Sequence, residues 1–239
     1  MRPKLNDAAL VRAEYEDESR FNVRQATWNS ATGPDAQGMV VEALAEIEPL
    51  RILEVGPGKG ELAERMAREL GAEVVAVDQS ERMVELTRAR GLETHVGDVQ
   101  QLPFEDASFD CAVAAWMLYH VADVDRAIVE LHRVLRPAGR LVAVTNSVDN
   151  LIELWSLAGE GPKQDYPFGR ENGEEILRRR FAQVERRDAD GEVTFPDWES
   201  ARAHVAASPV RGNLADRMPR FEGQLVARRR VTVFVADKD

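Results

Sequence analysis

At 239 residues, 44% hydrophobic and 31% charged, the chain is long enough for one α/β domain with an inserted lid and too apolar to be disordered. A formal net charge of −11 at pH 7 repels a phosphate backbone, which argues against a nucleic-acid partner and favours a small or cationic ligand. The single cysteine, Cys111, excludes an intrachain disulfide, and the four histidines lack the spacing of a zinc site, so no metal is expected.

The opening stretch MRPKLNDAALVRAEYEDESR has no signal-peptide core, and no segment approaches the ~20 apolar residues that cross a bilayer. A cytoplasmic protein without a membrane partner is expected. Residues 1–34 read as an acidic N-terminal arm and 35–239 as the main domain. MVVEALAEI (39–47) has helical spacing, LRILEV (50–55) is a buried-strand run, and ELAERMAREL (61–70) repeats apolar positions at helical intervals. AEVVAVD (72–78) is a second strand, followed by a helix over 80–90 with Ser80 as N-cap and Gly91 past its end. LETHVGD (92–98) and CAVAAWM (111–117) are the third and fourth strands. A helix begins near Asp123 and stops before Pro137, and GRLVAVTN (139–146) is the fifth strand. Strands alternating with helices imply right-handed crossovers and a parallel sheet.

After Asn146 the pattern loosens. A helix and a Gly/Pro-rich loop suggest a lid, with acceptor-selecting segments within about 147–225. A helix over 174–181, a strand and turn over 182–195, a helix over 197–208 and a last strand over 227–238 complete the chain. The RRR runs at 178–180 and 228–230 read as solvated faces.

The most informative stretch is ILEVGPGKGELAERMA, residues 52–67. Gly56, Gly58 and Gly60 fall where the first strand meets the next helix, at the sheet end where ligands of parallel sheets bind. Glycines there permit a tight turn and let a ligand touch the backbone. GKGELA (58–63) also fits a loose dinucleotide fingerprint, with Asp78 where a ribose-binding acid belongs, so an NAD-linked oxidoreductase is one reading. Glu54, however, would repel a pyrophosphate and suits a ligand with a positively charged amino group. Asp98 adds a third strand-end carboxylate. Three acids at three strand ends match an amine, a ribose diol and an adenine amine, the inventory of S-adenosylmethionine.

From about Arg51 to Thr145 the sequence resembles the class I S-adenosylmethionine-dependent methyltransferases, in their small-molecule, ubiquinone-biosynthesis-like (type 11) branch. LEVGPGKG resembles the glycine motif, VVAVDQSERMVELTRAR the ribose motif, GDVQQLPFEDASFDCAVAAWMLYHV the adenine segment and RVLRPAGRLVAVT the fifth-strand signature. The resemblance implies a Rossmann-like, seven-stranded, mostly parallel sheet with helices on both faces. It also implies S-adenosyl-L-methionine as cofactor, S-adenosyl-L-homocysteine as product and a small-molecule methyl acceptor. Carried over by position, Asp78 holds the ribose, Gln79 and Met83 border the adenine, Asp98 accepts its amine and Val99 meets the ring. Ala115 and Trp116 border the methionine portion, and Arg24 resembles an arginine that some relatives aim at the cofactor carboxylate. His120 is the candidate base. Ala138 stands where relatives show glycine, and a negative φ is expected there. Trp155, Tyr166, Phe168, Phe195 and Trp198 supply aromatic surface for an acceptor. A cofactor-binding protein that regulates a partner without catalysis is a further alternative.

Overall fold

Residues 18–162 and 166–239 are described by a computed structural model; arm residues 1–17 and lid residues 163–165 lie outside the described residues. The apolar runs form strands β1 (Arg51–Val55), β2 (Glu73–Asp78), β3 (Glu93–Val96), β4 (Phe109–Ala115) and β5 (Leu135–Asn146). With β6 (Gln183–Asp188) and β9 (Val231–Asp237) they make one seven-stranded sheet in the order β3-β2-β1-β4-β5-β9-β6. Only β9 is reversed, antiparallel to both β5 and β6.

Successive residues of each strand enter opposite cores, as the period of two requires. Leu53, Val75, Ala112 and Leu141 face one cluster with Ile128, Leu131 and Leu177. Ile52, Val74, Val113 and Val142 face another with Val40, Leu44, Leu62 and Met66. The first cluster is covered by α5 (Val124–Val134) and α7 (Gly173–Arg178), the second by α2 (Ala36–Ala45) and α3 (Glu61–Leu70). A sheet buried on both faces is what continuous apolar strands signal.

Capping follows the sequence. Ser80 Oγ accepts the Met83 N–H at the start of α4 (Glu81–Arg88), and Asp123 does the same for Arg126 at the start of α5. This assigns Asp123 to the helix end, and among the described residues no group of three His, Cys, Asp or Glu is placed to hold a metal. Cys111 is buried, and burial pushes its thiol up to about 12, an unreactive state.

Four expectations need correction. The 182–195 run is two strands, β6 and β7 (Gly191–Phe195), and the last run is likewise β8 (Leu225–Arg229) and β9. β7 and β8 pair with each other, not with the main sheet. Around that ribbon, α6 (Ile152–Leu157) and α8 (Trp198–Ala206) build a third core with Leu154, Phe195, Val205 and Ala227. β5 starts at Leu135, directly after α5, rather than at Gly139. Ala138 has φ +59, in the left-handed region rather than the negative one. The glycine that the turn cannot lose is Gly139, where a Cβ would stand 2.8 Å from the Arg136 carbonyl oxygen and 2.9 Å from that of Asp110.

Candidate cofactor and acceptor cavity

The carboxyl ends of β1, β2, β4 and β5, with the start of the reversed β9, converge on a cavity of about 770 Å³. The arm helix α1 (Glu18–Thr27) and the 3-10 turn that follows it (Trp28–Ser30) close one side: Arg24, Gln25 and Trp28 line the cavity. Arg24 Nη1 donates to the Ala207 carbonyl at 2.6 Å and Lys59 Nζ to Asn22 at 2.5 Å, which ties the arm to the end of α8 and to the glycine turn.

Of the expected site residues, Arg24, Glu54, Gly56, Gly58, Asp78, Gln79, Val99, Ala115, Trp116 and His120 all line this one cavity. Glu54 is 1% exposed, and its Oε2 has no hydrogen-bond partner. Desolvation, with a smaller push from the Asp78 charge, raises its carboxyl to about 8, against the pull of the Ala63 N–H. Asp78 Oδ1 accepts the Ser80 N–H at 2.9 Å, and burial lifts its carboxyl to about 6. Two acids, one buried and one partly buried, therefore share one cavity, where both favour a cationic or hydrogen-donating ligand.

Three expected residues stand elsewhere. Gly60 does not border the cavity: with φ +76, its missing Cβ leaves room for Thr87, whose Cγ2 would otherwise lie 2.8 Å away, so it fits α3 against α4. Met83 is fully buried and packs as core rather than lining the cavity. Asp98 is absent from the wall although its neighbours Gly97 and Val99 are in it. Its carboxylate accepts the Gln100 backbone N–H at 2.8 Å and the Gln100 amide at 3.1 and 3.0 Å on its two oxygens. Gly56 has a reason the sequence did not show: at φ +66 a Cβ would meet Met117 Cβ at 2.8 Å, so the Met117 side chain by itself calls for glycine there.

Trp116 holds φ +54 at the end of β4, a conformation that costs a bulky residue about 1–3 kcal/mol and is maintained by its N–H donating to Val144 at 2.8 Å. His120 follows on a 3-10 turn with its ring 4.5 Å from that of Tyr119, which in turn lies 5.6 Å from Tyr166. Of the aromatic residues expected for an acceptor, Trp155 and Tyr166 reach the cavity, and burial pushes the Tyr166 hydroxyl up. Phe168 and Phe195 are core, while Trp198 donates to the Pro219 carbonyl and stacks with Arg220.

Three wall residues carry no signal along the chain. Trp28 lies on the arm side. His204 sits among Trp28, Trp155 and Phe195 with Nδ1 2.8 Å from the Thr27 hydroxyl. Arg229, from the second RRR run, is 8% exposed and belongs to the wall rather than to solvent. For His204, four-residue spacing from Ser200 and Ser208 on a helix carried no chemistry; only the fold surrounds it with aromatic rings.

The chain matches the type 11 methyltransferase domain family over residues 53–143. It is 40% identical over 111 residues to a demethylmenaquinone methyltransferase of Thermus thermophilus, covering 44% of this chain and 50% of that one. It is 36% identical over 134 residues to the 27-O-demethylrifamycin SV methyltransferase of Amycolatopsis mediterranei, covering 50% and 49%. The chain thus spans no more than half the length of these relatives. Among solved structures, the cyclase SpnF superposes with a TM-score of 0.65 at 20% identity over 99% of this chain and 98% of that one. An S-adenosylmethionine-dependent methyltransferase of Thermotoga maritima superposes with 0.57 at 23% identity, covering 95% of each. These two likenesses speak to the fold.

Proposed function

We propose that the chain transfers the methyl group of S-adenosylmethionine to a small-molecule acceptor by in-line displacement. The observation that carries this reading is Glu54, whose buried Oε2 has no partner in the wall of the cavity. A cationic amine satisfies such an oxygen, and a pyrophosphate does not. When bound, the cofactor supplies a methyl group activated on a sulfonium. In this reading Glu54 holds the ammonium, Asp78 the ribose hydroxyls, and Gln79 and Val99 border the adenine. Arg24 meets the cofactor carboxylate from the arm, and Ala115 and the strained Trp116 flank the methionine portion.

Methyl displacement asks the protein mainly to align the two reactants in a dry cleft. The residues facing the acceptor are Trp28, Trp155 and Tyr166, with His120 at the mouth of β4 as base for a hydroxyl or ammonium nucleophile. The test is incubation of the full chain with methyl-labelled S-adenosylmethionine and a panel of small phenols, amines and carboxylic acids, scored by label in the extracted small molecules. Label in none of them, from protein that binds the cofactor, contradicts the reading.

Two further expectations arise here. His120→Ala leaves S-adenosylhomocysteine affinity within about twofold and lowers turnover of a true acceptor by roughly 10²–10⁴; unchanged turnover reduces His120 to a loop brace. Asp98 exchanges its Gln100 amide for the adenine amine, one N–H donor for another, so Asp98→Ala is expected to weaken S-adenosylhomocysteine by about tenfold or less. A calorimetric loss well beyond a hundredfold means the carboxylate stands free for the adenine before binding.

A further inference from the structure

The arginines at 228–230 divide by environment. Arg228 pairs with Glu153 and Arg230 with Asp190, whereas Arg229 is buried in the cavity wall. Its Nη2 donates to the Pro34 carbonyl at 2.5 Å, and its Nε is buried with no partner. Two carboxylates are near enough to act on its charge, Asp190 and Asp35. Both are committed elsewhere, Asp190 to Arg170 and Arg230, and Asp35 to Arg65 and the Gln37 N–H. Among the described residues no carboxylate lies within ion-pair distance of Arg229. A guanidinium kept dry without a counter-ion is costly, and burial pulls its pKa below the ordinary value. Its planar fork of donors is shaped for a carboxylate.

A second unpartnered atom lies close by. Asn146, at the end of β5, pairs in register with Val231, two residues beyond Arg229. Its Oδ1 is also buried without a partner, and its side chain lines the same cavity. The strand order puts Asn146 three strands from Asp78, with Glu54 between them. At ~4.8 Å per strand that is about 14 Å. Resting on the methyl-transfer reading, this end of the cavity, whose wall also carries Trp28 and Trp155, belongs to the acceptor.

We propose that Arg229 is a specificity-determining residue that holds the carboxylate of a small aromatic acceptor, while Asn146 Oδ1 accepts an N–H or O–H from the same molecule. A monoanion is favoured over a phosphate ester, because the chain carries a net charge of −11 and Glu54 and Asp78 share the cavity.

The probes are salicylate, 4-hydroxybenzoate and anthranilate, each against its carboxamide, with phenyl phosphate as a dianion. They are titrated calorimetrically into the full chain with and without saturating S-adenosylhomocysteine. At least one carboxylate is expected to bind about tenfold or more tightly than its amide. Arg229→Gln removes that preference while leaving amide and S-adenosylhomocysteine affinities in place, and Arg229→Lys retains part of it. Binding by none of the carboxylates, equal binding of acid and amide, preference for phenyl phosphate, or equal weakening of acid and amide by Arg229→Gln overturns the proposal. If Arg229→Gln does not fold, the acid–amide comparison on the parent and Arg229→Lys decide. Failure to bind S-adenosylhomocysteine, with the carboxylate preference intact, contradicts the cofactor reading alone.

Discussion

Glu54→Gln is expected to stabilise the ligand-free chain at alkaline pH and to weaken its hold on S-adenosylhomocysteine. The Glu54 carboxyl is raised to about 8 in the folded state, from an ordinary value of 4.5. The folded chain therefore keeps a proton that the unfolded chain releases. Stability from this group is complete below pH 4.5 and is lost as pH rises to about 8. Glutamine keeps an oxygen for the Ala63 N–H and never ionises, so it removes that loss. At pH 9 the gain is about 2–4 kcal/mol, or a melting point higher by roughly 5–10 °C, shrinking to near zero at pH 4. The same substitution removes the counter-ion of the ligand ammonium and weakens S-adenosylhomocysteine by about 1.5–3 kcal/mol. Binding to the parent at pH 7 releases a fraction of a proton, read as a dependence of the calorimetric heat on buffer ionisation enthalpy. A glutamine variant that is less stable at pH 9 makes Glu54 a structural carboxylate.

Asp78→Ala is expected to weaken S-adenosylhomocysteine by a similar amount, on the order of tenfold to a hundredfold or more. The two carboxylates serve different parts of the ligand, and adenosine tells them apart. It carries the ribose and no ammonium, so its affinity falls in Asp78→Ala and stays level in Glu54→Gln. Parallel loss in both variants, with circular dichroism unchanged, means that the ligand lies differently in the cavity.

Much of this architecture is legible along the chain. β1 to β5 are uninterrupted apolar runs because helices cover both faces of the sheet, and the oxygens of Ser80 and Asp123 announce the helices they cap. Local pattern fails where a strand changes partner without changing its apolar content. β8 and β9 are separated by Arg230 alone, so the pair reads as one run, and β7, set off from β6 only by Ala189 and Asp190, reads as the turn after it. Gly60 looks like its cavity-lining neighbours Gly56 and Gly58, and only the approach of Thr87 from the next helix separates it from them. Arg229 reads as one of three solvated arginines, because the carbonyl that receives it belongs to Pro34, 195 residues earlier. Trp28, just past the end of α1, meets His204 because α1 docks on α8, a contact no helical period encodes.

Parallel calorimetric titrations of the full chain with S-adenosylhomocysteine and NAD decide whether this cavity takes S-adenosylmethionine or a dinucleotide. Saturable 1:1 binding of S-adenosylhomocysteine that weakens in Glu54→Gln and Asp78→Ala is expected, with no saturable heat from NAD. Saturable binding of NAD with none of S-adenosylhomocysteine would contradict the S-adenosylmethionine reading, because a pyrophosphate would then be resting against the unpartnered carboxylate of Glu54.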